Sequence, residues 1–457
     1  MTRARTGAKR TSMTEGSILR ALLFFAFPIL IGNIFQQCYN IVDTAVIGNL
    51  LGDDKLAAVG AAAPIYSLVI SFANGMTNGF SVVIARFCGA GDTAKMKRAI
   101  TFSYLLTAGI SAALTVFGMI GIKPLLVFLN TPSEIIADAE SYLRVILLFS
   151  AVTMFYNMFA GMFRAIGNSR IPLYFLVIAT ALNVILDILF VKYLGLGVAG
   201  AGYATAEAQA ASVALCVLAV RKKFVLLKFD GASLKRDKRL LGDLSVTGLS
   251  MGLMLAVVSI GSVAMQNAVN SLGKATVTAH TAARKFGDIF MLVLGTVSLS
   301  ASTFASQNYG AGNMGRVKRG ILTSMAIGAV WSAVSAVCAF TIARPAVKAL
   351  TGTDSGFVIN TAVKYIQINL PFFFVLNILL ILRSSLQGLG RKLVPICGSV
   401  IELAGKFAAA FFIAPMAGYV GICFLEPAIW IVCAVVVLVD FRRFLARSAR
   451  SASQEYR

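Results

Sequence analysis

Twelve runs of predominantly apolar residues divide this 457-residue chain, each close to or above the ~20 residues a helix needs to cross a ~30 Å hydrocarbon core. They fall at about 22–49, 56–85, 99–122, 139–163, 171–192, 200–220, 243–270, 277–306, 320–343, 359–386, 394–414 and 420–440, with short polar loops between them. Backbone polar groups have no water to turn to in lipid, so each run must be a helix. The chain is therefore expected to be an all-α polytopic membrane protein with twelve transmembrane helices.

The net charge of +22 is a statement about topology. With the N-terminus inside, one set of loops carries Arg86, Lys95, Lys97 and Arg98, then Arg164 and Arg170, then eight basic residues between Arg221 and Arg239, then Arg316, Lys318, Arg319, Arg391 and Lys392. The opposite loops hold only Lys55, Lys123, Lys192, Lys274, Arg344 and Lys348. This asymmetry follows the positive-inside rule and predicts a multi-pass protein of the cell membrane with both termini cytoplasmic. The basic excess fits contact with anionic membrane lipids rather than nucleic acid. No cleavage site precedes the first span, which is expected to act as its own anchor, and Met13 is a candidate start.

Composition also narrows the chemistry. The seven cysteines are scattered without a CxxC pair and His280 is the single histidine. A His-based metal cluster or His-centred hydrolase is thereby excluded, and the cysteines read as small packing residues. An enzyme is not expected, and neither is a cofactor.

The chain repeats itself. Gly89-Ala90-Gly91-Asp92 followed by Lys97-Arg98 recurs 221 residues later as Gly310-Ala311-Gly312-Asn313 followed by Lys318-Arg319. Arg164 to Pro172 matches Gln387 to Pro395 at an offset of 223. Six spans per copy is an even number, so two six-helix lobes related by a parallel repeat are predicted. The expected divisions are a basic tail at 1–20, an N-lobe at 21–221, a basic linker at 222–241 that flexes or is simply solvated, a C-lobe at 242–441 and a tail at 442–457. The glycine-rich loops read as tight turns.

Acids in lipid point to function. An Asp at the centre of a spanning helix costs roughly 2.5 to 3.5 kcal/mol, so a chain that keeps one uses it or pairs it. Asp43 in the first span and Asp187 in the fifth each lie about six residues before the outer loop, and Thr205 lies about six residues into the sixth, so at ~1.5 Å per residue all three sit roughly 9 Å deep. Asn183 is one turn from Asp187 on the same face. This set suits a small hard cation, which prefers oxygen, and two close carboxylates in a poorly hydrated pocket also suit a proton. Na+ or H+ bound by Asp43, Asn183, Asp187 and Thr205 is the expectation.

Other polar residues form stripes. Asn33, Gln36, Gln37, Asn40 and Thr44 recur at helical spacing along the first span, Asn74, Thr77 and Asn78 along the second, and Asn157 interrupts the fourth. They are candidates for cavity lining, with interhelical hydrogen bonding the competing role. Pro28 lies within the first span and is a candidate hinge. Glu402 and Lys406, four residues apart in the eleventh span, are a candidate ion pair. The second half does not copy the acids: Lys406 stands where the repeat puts Asn183, and Ala410 where it puts Asp187.

Phe27-Pro28, Asn40 to Thr44, Leu56 to Gly60, the Gly-Ala-Gly loop, Asn183 to Asp187 and Gly202 to Thr205 together resemble the multidrug and toxic compound extrusion (MATE) family over about 18–440. The resemblance implies alternating-access antiport, exporting organic, often cationic, compounds in exchange for H+ or Na+, by a protein functional as a monomer. It also implies that Asp43, Asn183, Asp187 and Thr205 form the N-lobe cation site of such members and that Pro28 bends the first span. Acids that other members carry on the seventh and tenth spans have no match here. A lipid or lipid-linked oligosaccharide flippase of the same superfamily is the alternative, suggested by Arg284, Lys285 and Lys406.

Overall fold

The computed structural model describes residues 13–234 and 237–455. Most of the N-terminal basic tail, two residues of the linker and the last two residues lie outside this range. The described residues form helices α1 (Ile18–Leu51), α2 (Asp53–Gly89), α3 (Thr93–Phe128), α4 (Ser133–Leu148), α5 (Ser150–Ala165), α6 (Arg170–Asp187), α7 (Gly197–Lys222), α8 (Lys238–Asn270), α9 (Lys274–Gly310), α10 (Met314–Thr341), α11 (Ala343–Thr351), α12 (Gly356–Asn369), α13 (Phe373–Gly388), α14 (Leu393–Ala408) and α15 (Ala414–Glu455). Among the described residues eleven stretches are each long and apolar enough to span a membrane, and α4 with α5, bent by 48°, makes a twelfth. The break between them follows Leu148, where Phe149 leaves helical geometry. Pro371 similarly turns residues 370–372 into a 3-10 turn joining α12 to α13, and α6 and α14 each continue as a π-helical segment, Ile188–Tyr193 and Ala409–Ile413.

The turns between spans are built as their glycines require. Gly91 and Gly312 have φ of 70° and 73°, a conformation that a Cβ disfavours. The next residue in each case, Asp92 or Asn313, caps the following helix by accepting from the backbone N–H of Lys95 or Arg316.

Contacts divide the chain into two compact units, the first built mainly from Leu23–Gly252 and the second mainly from Leu253–Tyr309 with Asn313–Arg457. In the first unit α2 packs on α3, α4 and α5, and α6 on α7. Met76, Phe80, Val83 and Ile84 of α2 meet Ile100, Phe159 and Phe163 in a buried cluster. Lipid supplies no hydrophobic drive between helices, so close approach matters most. Gly75 and Gly79 of α2 lie against Gly248 and Gly252 of α8: a Cβ on Gly79 would stand 2.5 Å from Gly248 Cα, and one on Gly75 2.3 Å from the Met251 carbonyl oxygen. In the second unit α13 packs on α10 and α15, and α14 on α15. Gly328 leaves room there for Asn377, whose amide donates to the Met325 carbonyl at 2.9 Å.

The linker differs from the flexing or solvated loop expected. Leu227 is fully buried, and Phe224 packs edge-on against Phe163 with ring centroids 5.3 Å apart. Tyr104 of α3 donates to the Leu227 carbonyl at 3.2 Å and packs edge-on against Phe229. Thr101 exchanges hydrogen bonds with the backbone of Asp230. The apolar residues interleaved with the basic ones are what dock it. The Ser233 hydroxyl, and then the Ala232 N–H, hold the Asp230 carboxyl below its ordinary pKa. Its folded value is thus depressed, so this contribution is complete above the unfolded pKa and is lost as pH falls through the folded one. Replacing Thr101 by Val together with Tyr104 by Phe is expected to speed protease cleavage within 224–233 severalfold without reducing membrane insertion; an unchanged cleavage rate would show that these two side chains do not hold the strap.

Candidate functional site

Asn183 and Asp187 end α6, one turn apart, and both are buried, as is Thr205 on the facing α7. With its amide nitrogen turned towards the carboxylate, Asn183 donates to Asp187 Oδ2 at 2.8 Å while its oxygen accepts from the Thr205 backbone N–H at 3.2 Å. Thr205 Oγ1 donates to the Ala201 carbonyl at 3.0 Å, which leaves it to accept from the Tyr39 hydroxyl of α1 at 2.8 Å. Asp43, also on α1, is half-buried and lies near Asp187 and the phenols of Tyr39, Tyr66 and Tyr142. The four residues singled out from depth and spacing therefore share one neighbourhood. The three tyrosines were not anticipated, although Tyr39 stands one turn before Asp43 within the polar stripe.

Two carboxylate oxygens, Asp43 Oδ1 and Asp187 Oδ1, are buried and take no hydrogen bond. No basic side chain is among these residues. An orphaned buried acceptor costs about 1 to 3 kcal/mol, more when charged, so these two oxygens are open to a proton or a cation. Among the described residues no three His, Cys, Asp or Glu side chains group as a metal site. The donors that are present fit a single small cation or a proton, not a multidentate divalent ion.

The stripes divide by surroundings. Asn33, Gln36, Gln37, Asn40 and Thr44 are exposed along α1; Asn40 donates to Gln37 and Thr44 to the Asn40 carbonyl. Thr77 is buried and bonded back to the Ala73 and Asn74 carbonyls of its own helix. Asn74 and Asn157 are half-buried, and Asn78 accepts from Arg164 at 3.2 Å. Pro28 is buried inside an uninterrupted α1.

The second unit holds its own polar centre. Lys406 donates to Glu402 at 3.0 Å, the pairing expected from their spacing, and Arg383 of α13 stands 3.6 Å from the other carboxylate oxygen. Arg284 of α9 donates to Glu426 Oε1 at 2.7 Å, and the Tyr365 hydroxyl donates to Glu426 Oε2 at 2.7 Å. Glu207, by contrast, is exposed.

The MatE family model matches residues 28–189 and 250–407, most of both halves. The chain belongs to the MATE family. It is 30% identical over 310 residues to the probable multidrug resistance protein YpnP of Bacillus subtilis (strain 168), covering 68% of this chain and 69% of that one. It is 25% identical over 418 residues to the FAD transporter of Shewanella oneidensis, covering 90% of each. A MATE crystal structure in the bent conformation superposes with a TM-score of 0.89 at 20% identity, covering 98% of this chain and 99% of that one. The fold is thus the MATE fold, and the protein is a membrane transporter, not an enzyme. Several of these relatives are named as multidrug resistance or multidrug export proteins. The flippase alternative is not favoured, since Arg284 and Lys406 are committed to Glu426 and Glu402.

Proposed function

We propose that this MATE transporter exports small organic cations by antiport, with Asp43, Asn183, Asp187 and Thr205 as the site of the driving ion. The observation that carries the reading is the pair of buried, unbonded carboxylate oxygens on Asp43 and Asp187 beside Asn183 and Thr205, which are held by bonds of their own. Of the two coupling ions, the proton is the better fit. Asn183 directs its nitrogen rather than its oxygen at Asp187, whose other carboxylate oxygen is left unbonded, which suits a carboxyl that gains and loses a proton.

Exposed amides on α1 are costly against lipid, so Asn33, Gln36, Gln37 and Asn40 are assigned to a water-filled substrate path, with Asn74 and Asn157 beside them. Pro28 lacks the N–H that would bond the Phe24 carbonyl and is assigned as the hinge of α1; a bent conformation described for a structural neighbour supports it. The lobes at 21–221 and 242–441, the cytoplasmic termini, the cell-membrane location and a monomeric working unit complete the assignment.

Purified protein in vesicles with separately imposed proton and sodium gradients tests this reading. Efflux of a cationic dye is expected to follow the proton gradient, and to fall at least tenfold in Thr205→Val, which removes the hydroxyl that Tyr39 bonds. Efflux that follows only sodium would reassign the ion. A flavin nucleotide belongs in the panel because of the FAD transporter relative, and preference for that anion over every cation would overturn the substrate class.

A further inference from the structure

The two units build the same object from different side chains. Gly197 and Gly418, 221 residues apart, both take left-handed backbone, φ 59° and 55°, where the last span of each half begins. Three residues later Gly200 and Gly421 each press on a π-helical segment: a Cβ would stand 3.3 Å from the Phe190 carbonyl oxygen in one and 3.4 Å from that of Ile413 in the other. Those segments follow α6 and α14, which match at the offset of 223. Ala139 and Ala362, also 223 apart, are both fully buried one turn before Tyr142 and Tyr365.

With the units aligned by these features, the cation site acquires a counterpart. Glu426 occupies the place of Thr205, Lys406 that of Asn183, and Tyr365 that of Tyr142. The N-lobe set has two carboxylates and no basic side chain. Its counterpart is supplied with cations: Arg284 on Glu426 at 2.7 Å and Lys406 on Glu402 at 3.0 Å. Glu426 and Lys406 are buried, and both Glu426 oxygens are taken, one by Arg284 and one by Tyr365. Room for Lys406 is kept by Gly261 of α8, where a Cβ would stand 2.8 Å from Lys406 Cδ.

We infer that the second unit contains a cation site homologous to the first and permanently filled by the chain's own side chains, with the Arg284 guanidinium on Glu426 standing where a solution ion would bind. This rests on the reading of Asp43 and Asp187 as the exchanging site. It means that one unit exchanges an ion with solution while the other carries a tethered one, so a single substitution should open a second ion site.

Truncating Arg284 to Ala removes the tethered cation and leaves Glu426 to bind one from solution. Millimolar guanidinium is expected to raise the melting midpoint of purified Arg284→Ala saturably, with no such rise in wild type or in Arg284→Lys. In vesicles, the charge moved per substrate is expected to increase in Arg284→Ala and to stay at the wild-type value in Arg284→Lys. A guanidinium response no greater than that of wild type overturns the inference. So does saturable rescue with unchanged charge per substrate, because the pair is then a structural clamp only. If Arg284→Ala folds only with millimolar guanidinium present throughout purification, the charge moved per substrate is read in that buffer: an increase supports the inference, and an unchanged value, or a variant that does not fold even then, overturns it. Failure of the N-lobe reading shows elsewhere, as Asp187→Asn that still couples, and leaves the guanidinium result intact.

Discussion

Asp187→Asn is expected to abolish gradient-driven efflux while leaving the protein folded in the membrane. The change is nearly isosteric, and Asn183 can still donate to the remaining side-chain oxygen, so the α6–α7 contact persists. What disappears is the ability to take and release a positive charge at a buried position. One proton exchanged per substrate lets each unit of pH difference hold about a tenfold substrate gradient, about 1.4 kcal/mol; the variant should hold none. The measurement is dye accumulation in inverted vesicles across a graded pH difference, with dye binding as the control for folding. Accumulation in Asp187→Asn that rises with the pH difference as in wild type would sink the assignment.

Gly79→Leu is expected to have an equally large effect by a different route. Gly75, Gly79, Gly248 and Gly252 let α2 and α8 meet backbone to backbone, and a Cβ at Gly79 already falls 2.5 Å from Gly248 Cα. A leucine there cannot be accommodated by rotating one flexible side chain, because the obstacle is main chain. Overpacking of this kind costs about 1 to 3 kcal/mol, and more when backbones must separate. Folded yield after detergent extraction should drop severalfold. Gly109→Ala on α3, where nothing lies within 4 Å of the added carbon, serves as control and should be neutral or slightly stabilising, since alanine favours a helix over glycine by about 1 kcal/mol. Equal yields from the two variants would show that the crossing tolerates far more than so close an approach of two backbones implies.

The spans and the acids were legible because both follow from simple periodicities. Hydrocarbon thickness sets the length of an apolar run, and helical rise converts residue number to depth, which is enough to bring Asn183, Asp187 and Thr205 together. Tyr39 was legible in principle, one turn from Asp43, but a tyrosine in a membrane helix reads first as an amphipathic packing residue. Tyr66, Tyr142 and Arg383 come from helices whose facing surfaces no local spacing specifies. Glu402 and Lys406 are a local pair and were readable; the approach of Arg383 is a tertiary fact. The docked linker was missed because charge dominates its composition, while Phe224, Leu227 and Phe229 decide its position.

Directly after Asp187 the hydrogen bonds widen, as where Leu194 N–H reaches back five residues to the Leu189 carbonyl at 2.9 Å. A π turn holds one residue more than the α turn it replaces. Relative to a continuous α-helix, everything past this point is therefore displaced by one position, a rotation of about 100° for a 3.6-residue repeat. A single deletion within 188–193 should close the surplus and reset the phase of the helix end rather than unravel it. The helix thus stores one residue of slack next to its buried acid.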